Sequence, residues 1–280
     1  MFHWGKFIGI SLGYILGDIP GALFGLVLGF LVDKSILALK QPQFSKVNPA
    51  DLAQVQKEFF VATFSVMGHV AASNPYNNTD EYSALNKVIS RLNLPNGVHQ
   101  EAVALYNEGK KPGFDLNQVV LPFFTVCRYQ THLLEMFLEI QLFAAFNEGE
   151  LYPSKQQILL SICRLLELSR ADFDRILSTI RAEYHFNREN KNAGVGSVGG
   201  AAKVARADVS GNVDDAYAIL NLSPNASNDE IKQAYRRLTS MHHPDKLVAK
   251  GLPEEMLKIA ENKTHEIRLA YERIRAIRNF

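Results

Sequence analysis

The sequence predicts an all-α protein in four consecutive parts: an N-terminal single transmembrane helix, a helical bundle, a flexible Gly-rich linker and a C-terminal helical hairpin. Three observations support this division. The stretch 7–32 is almost entirely apolar, the chain from 48 to 187 repeats apolar residues at helical spacing, and the segment 188–213 is dominated by glycine and other small residues. The remaining residues, 214–280, return to helical spacing and form the fourth part.

The apolar stretch 7–32 follows a short segment, 1–6, and carries one charged residue, Asp18. It exceeds the roughly 20 residues that a helix needs to cross a bilayer. A cleaved signal peptide is the rival interpretation, but the run is longer than a typical signal core and no small-residue cleavage site is evident before Asp33. We therefore expect a retained anchor, in which Asp18 is protonated or hydrogen-bonded and has a structural role.

Glycine recurs at every fourth position of this predicted helix, so the glycines share one stripe. Small residues in such a stripe let a second helix approach closely in lipid, which predicts a homodimer through the transmembrane helix. Simple tolerance of glycine in membrane helices is the alternative. The stripe consists of Gly9, Gly13, Gly17, Gly21, Gly25 and Gly29.

Lysines are unevenly placed about the predicted span. Lys34, Lys40 and Lys46 lie in or near the juxtamembrane segment 33–47, whereas Lys6 alone precedes the span. Positive charge favours the cytoplasmic side. We therefore expect a single-pass protein of the bacterial inner membrane, in contact with its lipid, with residues 1–6 periplasmic and the rest of the chain cytoplasmic.

The middle part, 48–187, is long enough for one globular core. Within it, 132–146 is apolar on nearly all sides, which is typical of a helix at the centre of a bundle. Glu135 and Glu139, with His132, could ligate a metal, but several helices would have to contribute, and a narrow solvated stripe is favoured. Helical spacing is found over 51–73, 79–93, 117–124, 128–147, 154–166 and 171–184.

In the C-terminal part, 214–280, a short helix from 214 to 220 precedes two longer helices. Ser227 or Asn228 can cap the first long helix, whose opening turn is acidic. Its apolar face and the returning helix, 256–277, would form the core of a hairpin. The apolar face consists of Ile231, Ala234, Leu238 and either Met241 or His242.

Between the two long helices stands the tripeptide His243-Pro244-Asp245. Pro244 lacks an amide hydrogen and cannot continue the first helix, so we expect a loop from which His243 and Asp245 project. An ordinary helix-breaking proline is the alternative. A metal site that includes His242 is disfavoured, because adjacent histidines diverge and no further His or Cys follows at a useful spacing before His265.

The setting of this tripeptide, DDAYAILNLSPNASNDEIKQAYRRLTSMHHPDKLVAKGLP followed by HEIRLAYERI, resembles a J-domain. The resemblance implies docking on a DnaK-type chaperone and stimulation of its ATPase. It assigns signalling to His243, Pro244 and Asp245, and electrostatic docking to Lys232, Arg236, Arg237 and Lys246, with Tyr235 as a further contact. Thr264, after Lys263, stands where many J-domains have Phe.

From WGK near the start through MGHV, MFLEIQ, AAFNEG and HHPDKLVAKGLP, the chain is similar to the DjlA-like membrane-anchored J-domain proteins. The resemblance implies a TerB-like helical middle domain and a link to envelope-stress or capsule regulation. Metal-binding TerB-like domains carry an acid-Gly turn and an acid at the next helix start. Glu148-Gly149 keeps part of that turn, but Lys155 replaces the acid, so neither a metal nor another cofactor is expected.

Composition excludes several classes of protein. A formal net charge of +1 argues against a nucleic-acid binder. Cys127 and Cys163 form no close pair, so we expect both thiols to be buried. The sequence contains neither a phosphate-cradling glycine loop nor a nucleophile elbow, the motifs that would indicate an enzyme. The favoured function is a non-enzymatic co-chaperone. A membrane scaffold or adaptor that binds a receptor or peptide through the middle domain is the alternative, and a metal-dependent enzyme comes third.

The linker, 188–213, has a composition typical of flexible chains. Its reach would let residues 214–280 meet a large chaperone while the anchor and bundle stay at the membrane. Tethering would also raise the effective concentration near a client protein held by the bundle.

Overall fold

A computed structural model describes residues 49–73, 82–92, 94–146, 149–192 and 213–280. The predicted anchor with Asp18 and the glycine stripe, the juxtamembrane lysines and most of the linker lie outside these residues. None of the described helices has both the length and the apolar composition of a membrane span.

Regular structure in the described residues is helical, as predicted. The bundle contains α1 (Pro49–Ala72), α2 (Ser83–Leu92), α3 (Asn96–Gly109), α4 (Leu116–Cys127), α5 (Thr131–Ala145), α6 (Pro153–Leu165) and α7 (Arg170–Asn192). The C-terminal part contains α8 (Val213–Ile219), α9 (Asn228–Met241), α10 (Pro244–Val248), a 3₁₀ turn (Glu254–Met256) and α11 (Leu257–Arg278).

Helix α5 lies at the centre of the bundle, in agreement with its apolar sequence. It packs against α2, α4, α6 and α7. Phe137 of α5 meets Phe59 of α1 and Phe123 of α4, with ring centroids 6.2 and 4.8 Å away, and all three rings are fully buried. Aromatic contacts of this kind add to the stabilisation from buried apolar area.

Helix α3 was not predicted from the sequence. Its segment begins after Pro95 and contains Gly97 and Gly109, which favour a turn in a sequence-based reading. The spacing of its buried residues, Ala102, Tyr106 and Gly109, is nevertheless helical. Gly109 is required by packing, because α1 and α3 cross there with their backbones in contact.

The polar positions of α5 do not form the solvated stripe that the sequence predicted, and that prediction is wrong. Arg175 of α7 donates to Glu135 at 2.6 Å, and Lys263 of α11 donates to Glu139. Gln141 is buried and donates to the Thr63 carbonyl at 2.9 Å. The polar side chains are therefore bonded within the protein.

Metal ligands show no comparable arrangement. Within the described ranges, no three His, Cys, Asp or Glu side chains converge as they would around a metal ion. Lys155, which stands where the family resemblance led us to expect an acid in a metal-binding domain, is buried, and burial lowers its pKa.

The bundle and the C-terminal part belong to one compact unit, residues 50–280. Helix α7 packs along α8, and α11 contacts α2. Leu252 and Met256 join the apolar core of the bundle, whereas Ala182 and Phe186 of α7 join that of the C-terminal part. The flexible reach of the linker stays a prediction, but the helices on either side of it pack directly against each other.

Candidate functional site

Helix α9 begins with a reciprocal capping arrangement. The Glu230 amide donates to Ser227 Oγ at 3.3 Å, and the Ser227 amide donates to Glu230 Oε2 at 2.7 Å. This backbone hydrogen bond from Ser227 lowers the pKa of the Glu230 carboxyl. Two amides that the helix itself cannot satisfy are thereby bonded, which confirms the predicted start and identifies Ser227 as the cap.

The predicted apolar face of α9 packs against α11. Ile231, Ala234 and Leu238 are buried, as the sequence predicted. The Tyr235 ring stacks on Tyr271 of α11, with centroids 4.2 Å apart and planes 16° apart. Tyr235 therefore holds the two helices together, and its contact with a partner stays a prediction.

The basic residues of α9 lie off its buried face, and a further one, Lys246, lies on α10. Arg236 and Arg237 are exposed, and among the described residues neither forms an ion pair. Lys232 is half-buried, with Nζ 5.1 Å from the centroid of the Phe280 ring. Lys246 is exposed and donates to Ser240 Oγ. Arg236 and Arg237 are thus the cations most available to an acidic partner surface.

The tripeptide forms a tight corner and not the loop that the sequence predicted. His243 caps α10, and Pro244 is its first residue, where the fixed φ and missing amide hydrogen of proline fit a helix start. The Asp245 amide donates to His243 Nδ1 at 3.2 Å. The His243 carbonyl accepts from the amides of Lys246 and Leu247, both at 3.1 Å.

The corner presents both its polar side chains to solvent. The Asp245 side chain is 91% exposed and that of His243 is 46% exposed. Because Nδ1 of His243 accepts a hydrogen bond in this geometry, its Nε2 carries the proton and can donate outward. A donor on the His243 ring, which is bonded through Nδ1, and the exposed carboxylate of Asp245 therefore stand side by side near the basic residues of α9.

Three contacts support the corner from beneath. Leu247 is buried and accepts from the Leu252 amide at 2.9 Å. Gly251 has φ +105, and a Cβ there would lie 2.4 Å from Val55 Cγ1 of α1. Thr264 Oγ1 lies 3.1 Å from the His242 carbonyl oxygen and 2.9 Å from that of Ala260, and it shares its one proton between the two acceptors. The Thr264 hydroxyl thus bonds the chain where α9 ends, a contact that Phe could not make.

His242 is buried under the corner, and this should make folding stability depend on pH. Burial lowers the pKa of His242 to about 4, with the Lys263, His132 and Arg175 charges acting in the same direction and Glu139 opposing them. In the unfolded chain His242 takes up a proton near pH 6.5, its ordinary pKa, whereas in the folded chain it is still neutral at that pH. Stability contributed by neutral His242 is therefore complete above pH 6.5 and is lost as the pH falls toward 4.

We expect His242→Gln to remove this dependence. Between pH 7.5 and 4 the wild-type free energy of unfolding should fall by about 3 kcal/mol more than that of the variant, since each pKa unit corresponds to about 1.4 kcal/mol. Denaturant unfolding of both proteins across this pH range measures the difference. Parallel pH curves would show that His242 is protonated in the folded protein.

The chain is similar to known proteins over its whole length. The family model for the DnaJ domain matches residues 215–276, which include α9, α10 and the corner, and the model for the Co-chaperone DjlA transmembrane domain matches residues 1–50. Co-chaperone protein DjlA of Coxiella burnetii is 37% identical over 279 residues, 99% of either chain. The chain belongs to the DjlA family. The proteins of the same name from Photobacterium profundum and Yersinia pestis are each 35% identical, over 99% and 100% of both chains.

No solved structure matches the chain. Membership of the DjlA family makes it a membrane-anchored J-domain co-chaperone, which regulates the ATPase of a partner and is not itself an enzyme. It also implies a DnaK-type partner.

Sequence reasoning missed the residues that join the corner to the bundle. Only Thr264 was interpreted as a departure from other J-domains, with Lys263 given no role, and Glu139 was predicted to face solvent. A lysine inside the apolar series of α11 was the available signal, because a buried lysine needs acidic partners. Those partners lie in α5 and α7, far away along the chain.

Proposed function

We propose that the chain brings a DnaK-type chaperone to the cytoplasmic face of the inner membrane and stimulates its ATPase through the His243–Asp245 corner. The observation that carries the proposal is the exposure of this corner beside Arg236 and Arg237, within the residues that match the DnaJ domain. The basic face would draw in an acidic surface of the chaperone, since complementary charge speeds and orients encounter.

The corner would then provide the specific contact. Its hydrogen bonds hold the His243 ring and the backbone from which Asp245 projects before binding, which lowers the entropy cost of docking. Hydrolysis takes place in the chaperone. Lys232, Pro244 and Lys246 complete the proposed site, and Tyr235 supports it through its stack on Tyr271.

Membrane attachment would concentrate the chaperone near clients at the bilayer. The match of residues 1–50 to a transmembrane domain supports an anchor, and the lysines that follow the apolar stretch support a periplasmic N-terminus and a cytoplasmic bulk. The family resemblance adds a link to envelope-stress or capsule regulation as part of the proposal.

The glycine stripe supports a homodimer through the anchor. Replacing Gly13, Gly17 and Gly21 with Leu should reduce self-association at least tenfold in a membrane reporter assay, because bulky side chains hold the two backbones apart. Leu16→Ile, off the stripe, is the matched control and should associate like the wild type. Undiminished association of the triple variant would rule out the stripe as the dimer contact.

The docking surface can be tested with two exposed glutamines of the same chain. Gln233 lies on α9, one turn before Arg237, and Gln118 lies on α4 of the bundle. A photo-crosslinking side chain at either position, in the full chain in nanodiscs, reports which surface meets an ATP-loaded DnaK-type chaperone. We expect an adduct from position 233 and none from 118, and the absence of an adduct at 233 would contradict the proposal.

A membrane scaffold is the second candidate function. The observation that favours it is the exposure of two large side chains on the bundle, Leu121 of α4 and Tyr129 just after it, the latter 84% exposed. Such residues can contribute to the binding of a receptor or peptide. A cellular phenotype that persists in His243→Gln but is lost in Tyr129→Ser would favour the scaffold.

A further inference from the structure

A buried ionic cluster joins α11 to the bundle. Lys263, with only 8% of its side chain exposed, donates to Glu139 of α5 and Glu183 of α7. One turn further along α11, Glu266 accepts from Asn187 of α7 at 3.1 Å. It also lies 3.8 Å from Arg91 of α2. Three bundle helices therefore contact the same stretch of α11 through charged or polar groups.

Lys263 and Glu139 carry the central charges of this cluster. Burial by itself lowers the pKa of Lys263, but Glu139, Glu183 and Glu266 outweigh that effect and raise it above its ordinary value. Burial likewise raises the pKa of Glu139, and the Lys263 charge reverses the shift. Burial raises the pKa of Glu183 to about 8 against the opposing Lys263 charge, with Glu266 and Glu139 adding to the rise, so Glu183 accepts the Lys263 hydrogen bond without acting as a second full anion at neutral pH.

The cluster is connected to the corner through consecutive residues. Thr264 follows Lys263, and its hydroxyl shares its proton between the His242 carbonyl, at 3.1 Å, and the Ala260 carbonyl of its own helix, at 2.9 Å. His242 precedes His243, whose side chain and carbonyl hold the amides of the corner. The His242 ring and Lys263 line the same narrow cleft between α9, α5 and α7. Each step from Glu139 to the corner is therefore a peptide bond, a hydrogen bond or an ion pair.

We propose that Lys263 is a positioning residue for the chaperone-binding corner, and that the bundle fixes the corner through the ion pair of Lys263 with Glu139, the hydrogen bond of Lys263 with Glu183 and the hydrogen bond of Thr264 with His242. This inference rests on the proposed function. The packed arrangement leaves Arg236, Arg237 and Asp245 exposed, so attachment to the bundle is compatible with partner binding. The bundle thereby braces the site and sets its orientation.

The test uses the full chain in nanodiscs and three variants of α11. Lys263→Met removes the cation, and Thr264→Val removes only the hydroxyl. Lys258→Met is the matched control, because Lys258 forms an exposed ion pair with Glu261 on the same helix, at 2.8 Å. Single-turnover ATP hydrolysis by a DnaK-type chaperone is measured over a range of co-chaperone concentrations.

We expect Lys263→Met to raise the half-saturating concentration about tenfold with an unchanged plateau, because the corner is still present but less often in its binding geometry. Thr264→Val should act in the same direction, about threefold, and Lys258→Met should behave as the wild type. The proposal is overturned if Lys263→Met and Thr264→Val both keep the wild-type half-saturating concentration.

Amide hydrogen exchange without chaperone gives a second readout. Exchange at Lys246 and Leu247, which donate to the His243 carbonyl, should be about tenfold faster in Lys263→Met and unchanged in Lys258→Met. If circular dichroism shows that Lys263→Met is unfolded, Thr264→Val decides. Failure of the wild type to stimulate hydrolysis would refute the proposed function. Hydrogen exchange alone would then test whether Lys263 positions the corner, and unchanged exchange rates in Lys263→Met would refute that role.

Discussion

Gly109→Ala is expected to lower the free energy of unfolding by about 3 kcal/mol or more. A Cβ at this position would lie 1.8 Å from the Ser65 carbonyl oxygen and 3.1 Å from the His69 amide nitrogen. Both are backbone atoms of α1, which cannot move aside as a flexible side chain would. Gly68 meets α3 in the same way, since its Cβ would lie 2.0 Å from the Tyr106 carbonyl oxygen.

Gly97→Ala is the control for this prediction. It lies on the same helix, α3, but a Cβ there would meet nothing within 4 Å. Alanine should therefore be neutral or stabilise by up to about 1 kcal/mol through its helix propensity. Denaturant unfolding followed by far-UV circular dichroism compares the two variants. Equal stability of both would show that α1 and α3 do not cross in backbone contact.

Arg237→Glu is expected to weaken binding to a DnaK-type chaperone by about 10- to 100-fold at low salt. Arg237 is exposed and, within the described residues, unpaired, so its reversal places an acid directly on the proposed docking face. The loss should shrink at high salt, because exposed charges are screened over about 10 Å at 0.1 M ionic strength. Binding titrations of the full chain at two salt concentrations measure both effects.

Arg164→Glu provides the matched comparison. Arg164 is an exposed arginine of α6 in the bundle, so its reversal changes net charge by the same amount away from the docking face. We expect near wild-type affinity at both salt concentrations. Equal losses in the two variants would mean that net charge, and not the face of α9, governs binding.

The sequence was most informative where structure depends on nearby residues. The cap of α9 is formed by Ser227 and Glu230, three positions apart, and the buried face of α9 follows helical spacing. Local spacing likewise placed α5 at the centre of the bundle. The basic face and the tripeptide lie within a short segment, so the members of the candidate site could be named without a structure.

Prediction failed where the deciding partner is distant in sequence. Glu139 was predicted to face solvent because Lys263, the residue that pairs with it, lies 124 positions away in the sequence. Helix α3 was missed because its glycines suggest turns, although Gly109 is there to let α1 approach. The corner was predicted as a loop because Pro244 ends α9, but the same proline also begins α10.

The most direct test of the account is single-turnover ATP hydrolysis by a purified DnaK-type chaperone with the full chain in nanodiscs. Wild type is compared with His243→Gln, and with His265→Gln as a control, since His265 is an exposed histidine of α11 outside the His243–Asp245 tripeptide. We expect stimulation by the wild type and by His265→Gln, and its loss in His243→Gln. Equal stimulation by all three proteins, or none by the folded wild type, would contradict it.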